Sequence, residues 1–232
     1  MSLPTLKNPT FNIQLPSINK RVKFRPYTVG EEKNILMALQ SADTQVIMDK
    51  TVEVCQVCVE DDIDIRDLAV FDLEKLLVAI RCKSVGEEVK TGIKCKHCNT
   101  STEVSVNLEN IKRKNPEDPQ YKIMINDEYG LQLRFPSLKT MGEGVAPENE
   151  LIDIIKSSIE SVFDSENVFP FDDETEEEKD KFVESLGVDV VKKINEQFLE
   201  RIPRNYIDIK FKCPNCGEDV SMEVENVLDF FI

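Results

Sequence analysis

A single histidine stands among 232 residues, so the commonest general base in enzymes is all but missing. The chain has no P-loop, no GxSxG elbow and no HExxH helix, which removes the phosphate cradle, the activated serine and the zinc-peptidase site that those motifs build. Its carboxylates are abundant but run together, the pattern of a solvated face. Nothing here assembles into a catalytic constellation. No apolar run approaches the ~20 residues of a bilayer-spanning helix, which argues against membrane insertion. Positive charge is also short: 29 Lys and Arg face 44 Asp and Glu, for a net charge of −15. A polyanion is repelled by such an average surface. Only Lys112, Arg113 and Lys114 offer a local basic patch, and three charges in a loop are usually just solvated.

What is present is cysteine in pairs. Cys95 and Cys98 lie in IKCKHCNT, and Cys213 and Cys216 in FKCPNCGED. Each pair is followed by similar text, VSVNLENI at 104–111 and VSMEVENV at 220–227, so one knuckle hairpin reads as if written twice in register. Two CxxC turns supply four thiolates, the closed tetrahedral shell of a structural Zn²⁺ with no position left to activate water. The 114 residues between Cys98 and Cys213 exceed the usual ribbon spacing of about 15–20. Reduced, metal-free surface turns and a redox CxxC are the competing readings. His97, between the cysteines of the first pair, reads as a turn residue. Cys55 and Cys58 fall with Ile47, Thr51 and Val54 on one helical face, and Cys82 ends another helix; all three read as small buried hydrophobes, with a second metal site as the alternative. Seven cysteines without a signal peptide suit a reducing compartment.

The remaining pattern divides the chain into five segments. Residues 1–27 form a β-hairpin arm, with Phe11, Ile13 and Leu15 alternating before Val22 and Phe24. Residues 28–86 form three amphipathic helices: Thr28 and Glu31 make a capping box ahead of Ile35, Leu36 and Leu39, Asp43 caps the cysteine-bearing helix, and Gly86 stops the third after Leu73, Leu76, Leu77 and Ile80. Residues 87–137 hold the first knuckle and a hairpin turning at 126–130. Residues 138–203 read as a helical insert: Ile152, Ile155, Ile159 and Val162 mark one helix, the acidic stretch 164–180 is an exposed linker and the N-terminal turn of the next helix, where the dipole favours acids, and that single last helix ends before Pro203. Residues 204–232 return the chain to the second knuckle and an apolar tail. The fold class expected is α+β, a split zinc-ribbon-like β module with helical groups inserted and flanking.

Three stretches in order, LPSINKRVKFRPYTVGEEKNILMAL, FDLEKLLVAIRCKSVGE and FVESLGVDVVKKINEQFLERIP with the knuckle and terminal DFF behind it, resemble the baseplate hub subunit family of T4-type contractile-tailed bacteriophages. The likeness runs over about 15–231. It implies a non-enzymatic protein that helps assemble the hub in the host cytoplasm, beside other hub and central spike proteins, as part of the virion or as a transient chaperone. Zn²⁺ is then a stabilising device and not the defining activity. Exposed aromatic anchors beside charged rims are the expected contacts, and Phe163, Phe169 and Phe171 near the acidic segment, with Phe230 and Phe231 at the end, are the candidates; closing the core is their alternative role. The competing function is a zinc-ribbon nucleic-acid or transcription adaptor, which requires a basic stripe near the ribbon. Glu218, Asp219, Glu223 and Glu225 stand there instead.

Overall fold

The computed structural model describes residues 8–41, 43–114, 118–141 and 150–225. Its α+β chain divides into two compact units, one of residues 1–65, 71–113 and 205–232, the other of 66–70 and 114–204. The first unit opens with an antiparallel hairpin of β1 (Phe11–Leu15) and β2 (Lys20–Phe24), in which Phe11 pairs with Phe24 and Ile13 with Val22. Thr28 and Glu31 close the reciprocal capping box on α1 (Val29–Leu39), satisfying amides that the helix itself leaves bare. The Asp43 carboxylate accepts from the amides of Gln45 and Val46 to start α2 (Thr44–Cys58). This helix buries Ile47, Thr51, Val54, Cys55 and Cys58 on one face. The Thr51 hydroxyl is satisfied there by donating to the Ile47 carbonyl. In α3 (Val70–Val85) Leu73, Leu76, Leu77 and Ile80 are all buried, and Gly86, at φ 105°, ends it because a glycine meets no Cβ clash in that left-handed region. Leu36 departs from expectation: it is 53% exposed, and the inward stripe of α1 runs through Ile35, Ala38 and Leu39. The chain continues into β3 (Glu88–Lys94), β4 (Ser101–Asn107) and the short β5 (Lys112–Lys114).

The second unit is built on an antiparallel sheet in the order β6-β7-β8-β9, with β6 (Lys122–Met124), β7 (Gly130–Leu133), β8 (Ile159–Phe163) and β9 (Val168–Pro170). Between β7 and β8 come α4 (Leu138–Met141) and α5 (Glu150–Ser158), and after β9 come α6 (Glu176–Glu184) and α7 (Val188–Gln197). Ile123, Leu131, Leu133, Ile155, Ile159 and Phe198 are among the buried side chains of its core, each contributing roughly 1.5–3 kcal/mol by leaving water. Three sequence expectations are corrected here. Ile159 and Val162 do not continue a helix: α5 stops at Ser158, whose hydroxyl, like that of Ser157, turns back to the Ile154 carbonyl. The next five residues form a central strand paired to β7 and β9. The acidic segment opens the next helix as expected, with the capping box of Thr175 and Glu178 on α6, but its earlier part is not all linker, since it contains β9. Finally, the single last helix is two, parted at Ser185, Leu186 and Gly187; Gly187, at ψ 145°, leaves the helical region to become the N-cap of α7.

The chain then returns to the first unit as β10 (Arg204–Lys212) and β11 (Asp219–Val224), giving a sheet in the order β11-β10-β5. Ile207 and Ile209 of β10 meet Ile93 of β3, Val106 of β4 and Val78 and Cys82 of α3 in one buried cluster. The two knuckle hairpins have the same frame: Lys94 pairs with Ser101 across the first turn and Lys212 with Asp219 across the second. The repeated text is not in that register. Val104 lies six residues past Cys98, whereas Val220 lies four past Cys216. A slip of two residues leaves every side chain on the same face of a strand, so the apolar alternation matches although the lettering is displaced.

Candidate metal centre

Each CxxC is the turn of its hairpin. In the first, the Cys95 amide donates to the Thr100 carbonyl at 2.9 Å and the Asn99 amide to the Cys95 carbonyl at 2.8 Å. In the second, the Cys213 amide donates to the Glu218 carbonyl and the Gly217 amide to the Cys213 carbonyl, both at 2.9 Å. Asn99 and Gly217 occupy equivalent positions with left-handed φ of 60° and 76°. Asn and Gly are the residues that reach that region at least cost.

These turns bring four sulfurs together, all within 4.8 Å of one another. Cys95 Sγ is 3.8 Å from Cys216 Sγ and Cys98 Sγ is 3.6 Å from Cys213 Sγ. A tetrahedron with metal–sulfur bonds of about 2.3 Å has sulfur–sulfur edges of about 3.8 Å, so the set fits one tetrahedral ion. The separations are far longer than the ~2.05 Å of a disulfide, and all four cysteines are free. Cys95 and Cys213 are buried with Val220, Cys98 is half-buried and Cys216 is exposed.

Surrounding groups steady the sulfurs. The His97 amide donates to Cys95 Sγ at 3.4 Å, while its side chain stays exposed in the turn. Cys98 Sγ and Thr100 Oγ1 are hydrogen-bonded at 3.4 Å, and Asn215 Nδ2 donates to that same Oγ1 at 3.1 Å. One knuckle thus supports a cysteine of the other. Hydrogen bonds from Thr100 and then Asn215 hold the Cys98 thiol down at about 5, and the Cys216 amide lowers that of Cys213; the Glu218 amide works to lower that of Cys216, but desolvation and the three neighbouring thiols push it up to about 12. Deprotonated thiols are the form that ligates metal.

Cys55 and Cys58 belong to a different environment. Burial pushes both thiols up, that of Cys58 to about 11, so these remain neutral packing residues. Two of the basic triplet are committed to ion pairs within the first unit: Lys112 Nζ is 2.6 Å from Asp208 and Arg113 Nη2 is 2.7 Å from Asp72. Sequence reasoning missed Asp72, a fully buried carboxylate, and Asn205, which donates to Glu74 and to the Phe71 carbonyl. Their only sequence signal was a polar residue at an otherwise buried helix start and strand start.

The candidate phenylalanines divide by burial. Phe169 is 46% exposed on β9, Phe171 is 3% exposed within the core of the second unit, and Phe163 is half-buried on β8 with Lys122 Nζ 5.7 Å from its ring centroid. Phe171 therefore offers little surface to a partner in this conformation. Phe230 and Phe231 lie outside the described residues. No described helix is long and apolar enough to cross a membrane.

Residues 8–232 match the family model described as T4 bacteriophage base plate protein. The chain is 22% identical over 222 residues to the baseplate hub assembly protein gp26 of Enterobacteria phage T4, covering 95% of this chain and 96% of that one. No solved structure matches. With a family model matched from the first hairpin through the second knuckle to the end, the chain belongs to the T4 bacteriophage base plate protein family.

Proposed function

We propose that this chain is a non-enzymatic assembly protein of a phage tail baseplate hub, working by contact with other baseplate components in the infected cell. The observation that carries this reading is the match along nearly the whole length of both chains to a protein named for hub assembly. Phage lacking this gene should form no complete baseplates, and the wild-type gene supplied in trans should restore them; normal particle yield from the deletion would contradict the assignment.

Within that role Cys95, Cys98, Cys213 and Cys216 hold one structural Zn²⁺, completing a split ribbon. The four-sulfur geometry supports this. A four-thiolate shell is closed, so the ion contributes folding free energy and fixes two chain segments without entering chemistry. Among the aromatic candidates, Phe169 is the principal exposed contact and the half-buried Phe163 a lesser one, while Phe171 closes the core of the second unit. Phe230 and Phe231 are assigned as anchors from sequence alone.

A further inference from the structure

The second unit carries an open groove of about 330 Å³ lined by the rings of Phe169, Phe171 and Phe182 together with Pro170, Glu174 and Glu178. That volume is at the small end of the ~300–1,000 Å³ typical of ligand clefts. We propose that this groove receives an arginine or lysine side chain from a segment of another baseplate protein, with the aromatic rings taking its apolar stem and the two carboxylates its charge. The proposal rests on the reading of the chain as an assembly protein and names the chemistry of one contact.

Charge accounting in this region favours a cation over a purely apolar occupant. Asp172 is paired with Arg134, Glu176 with Lys156 and Lys179, Glu177 with Lys181, and Asp180 with Lys156. Glu174 and Glu178, the two acids that line the groove, make no ion pair among the described residues. Glu178 Oε2 closes the capping box with Thr175, and those hydrogen bonds hold its pKa down. The Glu174 side chain also hydrogen-bonds Glu178 and lowers it further. A cation entering the groove meets both carboxyl groups, and an opposite charge that close favours their charged form. The aromatic wall adds to this, since a guanidinium or ammonium is attracted to a ring face, and Phe171 and Phe182 already meet edge to face at 5.8 Å. Addition of a partner strand along the neighbouring sheet edge is the weaker mode, because β9 is only three residues long and Pro170 has no amide to give.

The test uses the full chain, labelled with ¹⁵N, and two peptides, acetyl-Phe-Arg-Phe-Arg-amide and acetyl-Phe-Glu-Phe-Glu-amide. The arginine peptide should shift amides around 168–182 and bind about tenfold more tightly than the glutamate peptide. Glu174→Gln should weaken it by about fivefold, and Glu174→Lys should reverse the preference. Glu174 and Phe169 are exposed, so these variants should keep the wild-type spectrum elsewhere. Equal affinity for both peptides, shifts confined to other regions, or no binding would overturn the proposal. A second arm separates it from its premise. If phage carrying Phe169→Ala with Glu174→Gln still assemble hubs normally, the groove is not a hub contact although the assembly role stands. If the wild-type gene fails to restore the deletion, the assembly role itself is wrong.

Discussion

Arg113 Nη2 lies 2.7 Å from Asp72 Oδ1, and the carboxylate side chain has no solvent exposure at all. The same carboxyl accepts the Ser17 amide through its other oxygen at 2.7 Å. The Arg113 guanidinium also stands 4.7 Å from the centroid of the Phe71 ring, and its Nε donates to Asn205 Oδ1. A triplet that reads as a solvated basic loop is thus a strand whose middle residue ties the N-terminal hairpin, α3 and β10 together. Removing one member leaves the other charge largely buried without its counter-ion. Asp72→Ala and Arg113→Ala should each lower stability by about 3–5 kcal/mol, and urea unfolding should show it as an earlier midpoint. A loss below about 1 kcal/mol, the usual value of an exposed pair, would contradict the buried assignment.

The Arg25 guanidinium grips both oxygens of Glu31, at 2.7 and 2.9 Å. This side-chain pairing brings the Glu31 carboxyl from its ordinary 4.5 down to about 2. A depressed carboxylate contributes stability that is fully present above its unfolded value and is lost as pH falls towards its folded one. The difference in unfolding midpoint between wild type and Glu31→Gln should therefore be greatest near neutral pH and narrow steadily from about pH 5 downward. A gap independent of pH would show that the pair does not titrate in this way.

Gly130 of β7 is paired directly with Phe163 of β8, and a Cβ at position 130 would overlap the Phe163 ring. Gly130→Ala should cost about 1–3 kcal/mol through overpacking. Phe163→Ala made with it should cost less than the two changes summed, because the clash is gone. Simple additivity would show that the two side chains do not meet.

In the knuckles, Gly217 at φ 76° has no atom within 4 Å of where a Cβ would sit. The penalty for a side chain there is conformational and not steric crowding. Gly217→Val should cost about 1–2 kcal/mol, whereas Gly217→Asn should cost less and Asn99→Gly should be close to neutral. Thermal unfolding of the metal-loaded protein ranks the three, and a neutral valine variant would contradict the left-handed assignment.

The two cysteine turns, the capped helices and the first hairpin were legible because each is encoded locally. CxxC fixes its own turn, Thr28 and Glu31 their own helix start, and alternating Phe11, Ile13 and Leu15 their own face. What was not legible depends on distant partners. Ile155, Ile159 and Val162 satisfy a helical period, yet Ile159 and Val162 lie in a strand, because β7 offers Leu133 to Ile159 and Leu131 to Val162 while β9 pairs Phe169 with Val162 on the other side. Arg113 finds its carboxylate 41 residues away, beyond the reach of any local pattern. The doubled text was read correctly as a doubled hairpin but two residues out of register, because a period of two cannot tell a slip of two from none.

The direct measurement is elemental mass spectrometry of the full chain, purified reduced and without chelator, beside a variant carrying Cys95→Ser and Cys213→Ser. One zinc per chain in the wild type, absent from the variant, is the result expected if the two hairpins share an ion. Wild-type protein free of zinc, or a variant that retains it, would contradict the split ribbon and leave the two knuckles as paired turns held by packing alone.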